Sequence, residues 1–339
     1  MASKILAKEI KGSLTTGQRA KSKIVNLKTW GNILWKIARV VLLIGLSYVI
    51  LQPFIVKISY AFMSDQDIMD NTVKWIPKNP TMEHIDKVIR DGKYYECLKN
   101  TISISVMSGI VQMLICTMIG YGFAKFKFKG SKLLFMLVIF TMIIPPQTVM
   151  ISMFMQFRFF DVQVLPFLPG PFELLQKAGA IEKMPNLLNS VWPTVILSVF
   201  GIGFKNGLYI FMMRQFFKGV PDELEEASYV DGSGTFRTFF RVILPLSLPM
   251  MVTVFLFAFS WTWTDTFYSS MFYTNNFPVL ANMVFNFSNV MVGGHLQGGM
   301  DAQVTINTAA MLVILPLVLF YCFAQKALIQ GVERSGITG

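Results

Sequence analysis

The stretch "EEASYVDGSGTFRTFFRVILP" occupies residues 225–245 and separates two long apolar runs. It is charged and broken by glycines, whereas the chain as a whole is 53% hydrophobic and only 14% charged. With a mean hydropathy of +0.53, the composition lies outside that of soluble domains and indicates an integral membrane protein. The stretch is therefore expected to leave the bilayer between two spans.

Six windows of about 20 mostly apolar residues predict an all-α protein with six transmembrane helices, because a helix of that length crosses the hydrocarbon core. Their approximate positions are 40–62, 101–124, 133–157, 190–213, 248–272 and 306–324.

Lys and Arg are distributed unevenly between the two sides of these spans. With the N-terminus inside, nineteen lie in cytoplasmic segments and nine in outer loops, which favours cytoplasmic termini. The net charge of +11 is then explained by topology and predicts no nucleic-acid partner. The first segment has no signal-peptide pattern. It is either an interfacial helix on anionic membrane lipid or a solvated arm that enforces topology.

The opening stretch follows "KGVPDEL" and predicts a short cytoplasmic helix over 221–231. Pro221 fits the first turn of such a helix, and acidic side chains lie near its positive end. Gly232 fits a left-handed stop, while Ala227 and Ser228 offer a surface that another protein can approach closely. A second amphipathic segment then leads back to the membrane and is expected to break at Pro245 and Pro249.

The spacing from the acidic turn to Pro245 resembles the "EAA" signature of permease subunits in ATP-binding-cassette importers. In that family the pattern is E-A-A, three residues, G, nine residues, I, one residue, L-P. Ser228 here replaces the second alanine and Val242 the isoleucine. The resemblance implies that this helix is a coupling helix, which docks on a separate ATPase subunit. The residues assigned to this coupling role are Glu225, Glu226, Ala227, Ser228, Asp231, Gly232, Leu244 and Pro245.

The resemblance is nearly continuous from Asn100 to Gly339 and points to the carbohydrate-importer branch, specifically its maltose-type second permease. The segments that carry it are "YGFAKFKFKGSKLLF" (121–135), "MIIPPQTVMISMF" (142–154), "FMMRQFFKGVPDELEEASYVDG" (211–232), "WTWTDTFYSSMF" (261–272) and the tail from Gln325. The N-terminal arm and the 158–189 loop depart from the family, so no family role is carried onto them.

The resemblance implies a type I importer permease fold and a set of partners in a bacterial cytoplasmic membrane. These are a second permease subunit, two ATPase subunits, an extracytoplasmic solute-binding protein and a sugar. No Walker-type glycine loop occurs in the sequence, so this chain is expected to bind no cofactor and not to be an enzyme. ATP and Mg²⁺ would be used by the partner ATPase.

Ionisable groups inside spans are costly and are functional candidates by default. Lys205, Asn206, Trp263 and Asp265 are candidates for the solute path, since an indole and hydrogen-bonding groups suit a sugar. The alternative is that they serve interhelical packing. On a continuous helix, Lys205 would lie about 22 Å below the outer surface.

Pro145 and Pro146 interrupt the third span. A helix broken at mid-membrane is tolerated where its freed carbonyls are covered or face a cavity, so this kink is expected to shape a gate.

These assignments divide the chain into a basic cytoplasmic arm (1–39), a first span with its outer loop (40–99), a five-helix core (100–325) and a cytoplasmic tail (326–339). The coupling loop lies within the core at 218–248. Two other functions stay open: an importer permease for a non-sugar solute, and an ion-coupled secondary carrier. Few membrane carboxylates and no internal repeat favour the importer.

Overall fold

The structure is a computed structural model that describes residues 27–70, 72–161, 170–177, 179, 185–274, 276–293 and 300–336. Most of the N-terminal arm, the middle of the 158–189 loop and the end of the tail lie outside the described residues. In the described ranges the regular elements are all helical.

Fifteen α-helices follow one another along the described part of the chain. They are α1 (Leu27–Ala61), α2 (Asp65–Met69), α3 (Glu83–Asp91), α4 (Tyr94–Lys125), α5 (Ser131–Ile143), α6 (Met150–Arg158), α7 (Pro171–Lys177), α8 (Trp192–Val199), α9 (Asn206–Lys218), α10 (Glu223–Val230), α11 (Thr235–Thr238), α12 (Leu244–Thr264), α13 (Phe267–Phe272), α14 (Leu280–Gly293) and α15 (Met300–Gly336).

Four helical stretches in the described residues are long and apolar enough to cross a membrane, namely Trp30–Ala61, Tyr94–Lys125, Thr235–Thr264 and Gln303–Lys326. A fifth exists if α5 and its bent continuation count as one span. Six spans with an interruption in the third were expected; in the described residues the fourth apolar run is divided as well, so the count of six is not confirmed.

The fourth run, 190–213, consists of α8 and α9 with a non-helical connection between them. Gly201 and Lys205 both have left-handed backbone (φ 71° and 63°), which an α-helix does not contain. The depth assigned to Lys205 from a continuous helical rise was consequently wrong. Lys205 instead occupies the position just before the first residue of α9.

The third run is interrupted at the predicted prolines. α5 ends at Ile143, and a 3₁₀ turn starts at Pro146. The segments on either side meet at 96°. The kink is confirmed, and it is a sharp turn, so this run either crosses as a broken span or re-enters on one side.

The fifth run begins earlier than expected and is not broken at its prolines. α11, a π-helical turn (Phe239–Ile243) and α12 form one helical stretch, Thr235–Thr264. Pro245 lies in the first turn of α12 and Pro249 lies inside it. The wider π-turn precedes Pro245, and such turns accommodate disruption of the regular hydrogen-bond ladder. The expected break occurs instead at Asp265, where α12 ends.

α4 is the central helix, since it packs against α8, α9, α12 and α14. Its buried side is rich in small and polar residues, which let helices approach closely in a membrane. At Gly120 the approach is so close that an added Cβ would lie 2.6 Å from the Cβ of Met213 on α9. α1, in contrast, packs along α15 and leaves nearly its whole length exposed.

Candidate functional site: a capped helix and a small cavity

α10 is the helix expected at 221–231, and both of its ends are defined. Asp222 is the N-cap residue, so Pro221 precedes the helix and does not lie in its first turn as predicted. Gly232 has φ +79°, which confirms the left-handed stop. The amide of Gly232 donates to Tyr229 O at 3.0 Å, and the amide of Ser233 donates to Ser228 O at 3.0 Å. These bonds satisfy carbonyls that the helix end leaves free.

α10 has an inward and an outward face. Glu225 and Ser228, three residues apart, face the rest of the chain, and Glu225 is only 8% exposed. Glu226, Ala227 and Val230 face away from the protein and are exposed, Val230 by 87%. The residues grouped together by the motif therefore divide between two surfaces.

Lys125, the last residue of α4, reaches the beginning of α10. Its Nζ lies 2.5 Å from Asp222 Oδ1, 2.6 Å from the carbonyl oxygen of Val220 and 3.9 Å from Glu225 Oε1. The Lys125 side chain is 7% exposed, so the ammonium is largely withdrawn from water. Its hydrogen bond holds the pKa of Asp222 below the ordinary value.

Glu225 has a more mixed environment than Asp222. The hydroxyl of Tyr121, one turn before Lys125 on α4, donates to Glu225 Oε2 at 3.4 Å. Burial raises the pKa of the Glu225 carboxyl, and the charge of Lys125 and the Tyr121 hydrogen bond oppose that rise. The sequence reasoning missed both α4 residues, because Lys125 had been counted only as a topology charge.

Ser228 connects α10 to the segment that follows it. Its hydroxyl lies 2.9 Å from the hydroxyl of Thr238, which is fully buried. Ser228 therefore does not contribute to the outward surface predicted for it. Its departure from the family's alanine adds a hydrogen bond within this chain.

Two large side chains extend the exposed surface of α10. Phe236 on α11 is 78% exposed, and Leu224 on α10 is 42% exposed. Leu244 and Pro245 do not join this surface. Leu244 packs against the core formed by α4, α9 and α12, and Pro245 lies in the first turn of α12.

The candidate solute-path residues fall into two groups. Lys205 is exposed, with its ammonium 4.8 Å from the ring centre of Trp261 and 5.2 Å from that of Phe204. Asn206 is 1% exposed and donates through Nδ2 to the carbonyl of Ser198 at 3.4 Å, across the break between α8 and α9. Neither residue lines the cavity described next.

Trp263 and Asp265 line a small cavity between α4, α8, α12 and α13. The Trp263 indole donates to the carbonyl of Val313 at 3.0 Å, so its N–H is already used. Asp265 Oδ2 accepts from the amides of Tyr268 at 2.8 Å and Ser269 at 3.2 Å, which caps α13. The cavity measures about 30 Å³, enough for water and too small for a sugar.

Comparisons with known proteins agree with this architecture. The galactooligosaccharides transport system permease protein GanQ of Bacillus subtilis is 23% identical over 302 residues, covering 88% of this chain and 94% of its own. The probable starch degradation products transport system permease protein AmyC of Thermoanaerobacterium thermosulfurigenes is 25% identical over 296 residues, covering 87% and 94%. A bacterial ABC transporter involved in alginate import has a similar fold, with a TM-score of 0.63 at 18% identity over 87% of this chain and 97% of that chain.

The family described as "Binding-protein-dependent transport system inner membrane component" matches residues 116–334. That range contains α10 with both of its faces, both divided runs and most of the central helical core. The chain therefore belongs to the family of binding-protein-dependent transport system inner membrane components.

Proposed function

We propose that this chain is the permease subunit of an ATP-driven, binding-protein-dependent importer of oligosaccharides in a bacterial cytoplasmic membrane. The observation that carries the proposal is the outward face of α10, a short capped helix whose Val230 side chain is exposed, together with the exposed Phe236 at the start of the helical stretch Thr235–Thr264. Exposed apolar surface of this kind marks an interaction site. Family membership assigns the chain to transport.

Glu226, Ala227 and Val230 form the centre of the surface that docks on an ATPase subunit. Ala227 permits close approach, while Leu224 and Phe236 widen the apolar contact. Asp231 and Gly232 end the helix and set its length, and Leu244 and Pro245 join it to the core. ATP and Mg²⁺ are used by the ATPase pair, whose closure moves α10 and shifts the spans between two packings.

The complete importer contains a second permease subunit, two ATPase subunits and an extracytoplasmic binding protein. A related structure is described as an alginate transporter in complex with an alginate pentasaccharide-bound periplasmic protein. Relatives are named for galactooligosaccharides and starch degradation products, which supports an oligosaccharide as the solute. The charge distribution supports cytoplasmic termini.

The solute path is proposed to run past Lys205 and to be gated at the bend near Pro145 and Pro146. Lys205 keeps its exposed ammonium beside two aromatic rings, an arrangement suited to a sugar face and its hydroxyls. The path is stabilised indirectly by Asn206, Trp263 and Asp265, because their side chains form hydrogen bonds with backbone groups of this chain.

Uptake in reconstituted proteoliposomes tests the proposal. The chain is purified together with its associated subunits, and the complex is reconstituted into liposomes. Its binding protein and labelled malto- or galacto-oligosaccharides are then added. ATP-dependent accumulation of an oligosaccharide is expected. Accumulation of a polyamine, phosphate or amino acid in its place would exclude the sugar assignment, and uptake driven by an ion gradient without ATP would exclude the importer.

A further inference from the structure

The end of α4 and the beginning of α10 meet at a group of three charged side chains, two of them buried. Lys125 contributes the cation, and Asp222 and Glu225 contribute the carboxylates, at 2.5 and 3.9 Å from its Nζ. Asp222 and Glu225 lie 97 and 100 positions after Lys125 in the sequence, so only the fold brings them to it. Tyr121 adds a hydroxyl from the same helix as Lys125.

The two carboxylates differ in exposure. The Asp222 side chain is 78% exposed and that of Glu225 11% exposed. A pair between exposed groups contributes little, whereas removing one partner of a buried pair is costly because an uncompensated charge remains. Glu225 therefore depends on Lys125 and Tyr121 more than Asp222 does. The sequence analysis assigned both Glu225 and Glu226 to ATPase coupling, but in the structure Glu225 is buried against this chain and Glu226 is exposed.

α4 is the helix best placed to receive a displacement of α10. It packs against α8, α9, α12 and α14. At Gly120 it approaches α9 so closely that no side chain fits between the two helices. A rigid helix whose last turn is attached to α10 moves when α10 moves. A helix without that attachment can stay in place while α10 shifts.

We propose that Lys125, together with Tyr121, is a positioning residue that holds Glu225 and thereby transmits the displacement of α10 to the membrane core through α4. Glu225 is the receiving group of this attachment and does not bind the ATPase. The inference rests on the proposed function, since transmission has meaning only in an ATP-driven importer.

The test measures solute transported per ATP hydrolysed by the whole complex in proteoliposomes. In Lys125→Met the ammonium is lost and the stem is kept, so ATP hydrolysis is expected to continue while transport per ATP falls about tenfold, within the usual range of coupling between sites. Lys125→Arg keeps the charge and is expected to restore most of the ratio. Lys129→Met removes an exposed lysine four positions away and is expected to match wild type.

Glu225→Gln provides a second variant, because it preserves the shape of the side chain if Lys125→Met does not assemble. It is expected to lower the same ratio with ATPase subunits still bound, whereas loss of bound ATPase would assign Glu225 to the docking surface and overturn the inference.

Unchanged ratios in Lys125→Met and Glu225→Gln, with wild-type uptake intact, would overturn the inference and leave the proposed function standing. Absence of ATP-dependent uptake in the wild-type complex would instead refute the proposed function itself. The two failures are thus distinguished by the wild-type measurement alone.

Discussion

The hydroxyl groups of Ser228 and Thr238 lie 2.9 Å apart and join α10 to the helical segment that returns to the membrane. Thr238 is fully buried, so its hydroxyl depends on this partner more than Ser228 does. The contact links the two segments through their side chains. Loss of the Ser228 hydroxyl should therefore affect both segments.

Ser228→Ala is expected to lower the stability of the purified protein by about 1 kcal/mol, because the buried Thr238 hydroxyl loses its protein partner. The double change Ser228→Ala with Thr238→Val removes both hydroxyls and should be closer to wild type than the single change. Thermal melting in detergent measures the stability of both variants. A single variant that melts like wild type would show that the hydrogen bond contributes nothing.

Substitutions at Gly232 should follow backbone conformation and not side-chain size. An added Cβ would meet nothing within 4 Å, but φ is +79°. We expect Gly232→Asn to be tolerated best, Gly232→Ala to cost about 1 kcal/mol and Gly232→Val to cost more, since branched residues avoid this region. Assembly with the ATPase and uptake should fall in the same order. Equal loss in all three would indicate crowding by a partner.

The bend near Pro145 should depend on Pro146. A proline disfavours helical backbone at the preceding residue, and Pro145 has ψ 129°. Pro146→Ala removes that restriction, so uptake is expected to slow while the complex still assembles. Pro249→Ala, within the continuous α12, serves as the control and should transport normally. Wild-type uptake in Pro146→Ala would remove the bend from the gating proposal.

Lys205 should contribute to solute affinity and little to stability, since its ammonium is exposed beside Trp261 and Phe204. Lys205→Met is expected to raise the solute concentration for half-maximal uptake several-fold without changing the melting temperature. Lys205→Arg preserves the contact with the rings and should lie between the two. A melting temperature that falls with unchanged uptake affinity would assign Lys205 to packing.

Asp265 should behave as a helix cap. Asp265→Asn keeps an oxygen that can accept from the Tyr268 and Ser269 amides, so a small effect is expected. Asp265→Ala removes the acceptor and should cost about 1 kcal/mol. Melting temperature and uptake are measured for both. If Asp265→Asn abolishes uptake at normal stability, the charge acts on the solute directly.

The sequence was sufficient for the membrane class, the left-handed residue at Gly232 and the interruption at Pro145, because composition, glycine and proline act locally. It was insufficient where neighbouring residues carry no information about the local conformation or burial. Residues 190–213 stay apolar enough on average to predict a single span, so the break that contains Lys205 could not be detected from average apolar content. Glu225 and Glu226 are chemically identical, and only the fold separates the buried carboxyl from the exposed one.

α1 is longer than the thickness of a typical hydrocarbon core. The helical stretch Trp30–Ala61 has 32 residues and is about 48 Å long at the usual helical rise, whereas a typical hydrocarbon core is about 30 Å thick. The surplus has to be taken up by tilt, by local thickening of lipid or by extension into the headgroups. Because α1 packs along α15, its inclination is coupled to that of a second long helix, and a change in membrane thickness would act on both together.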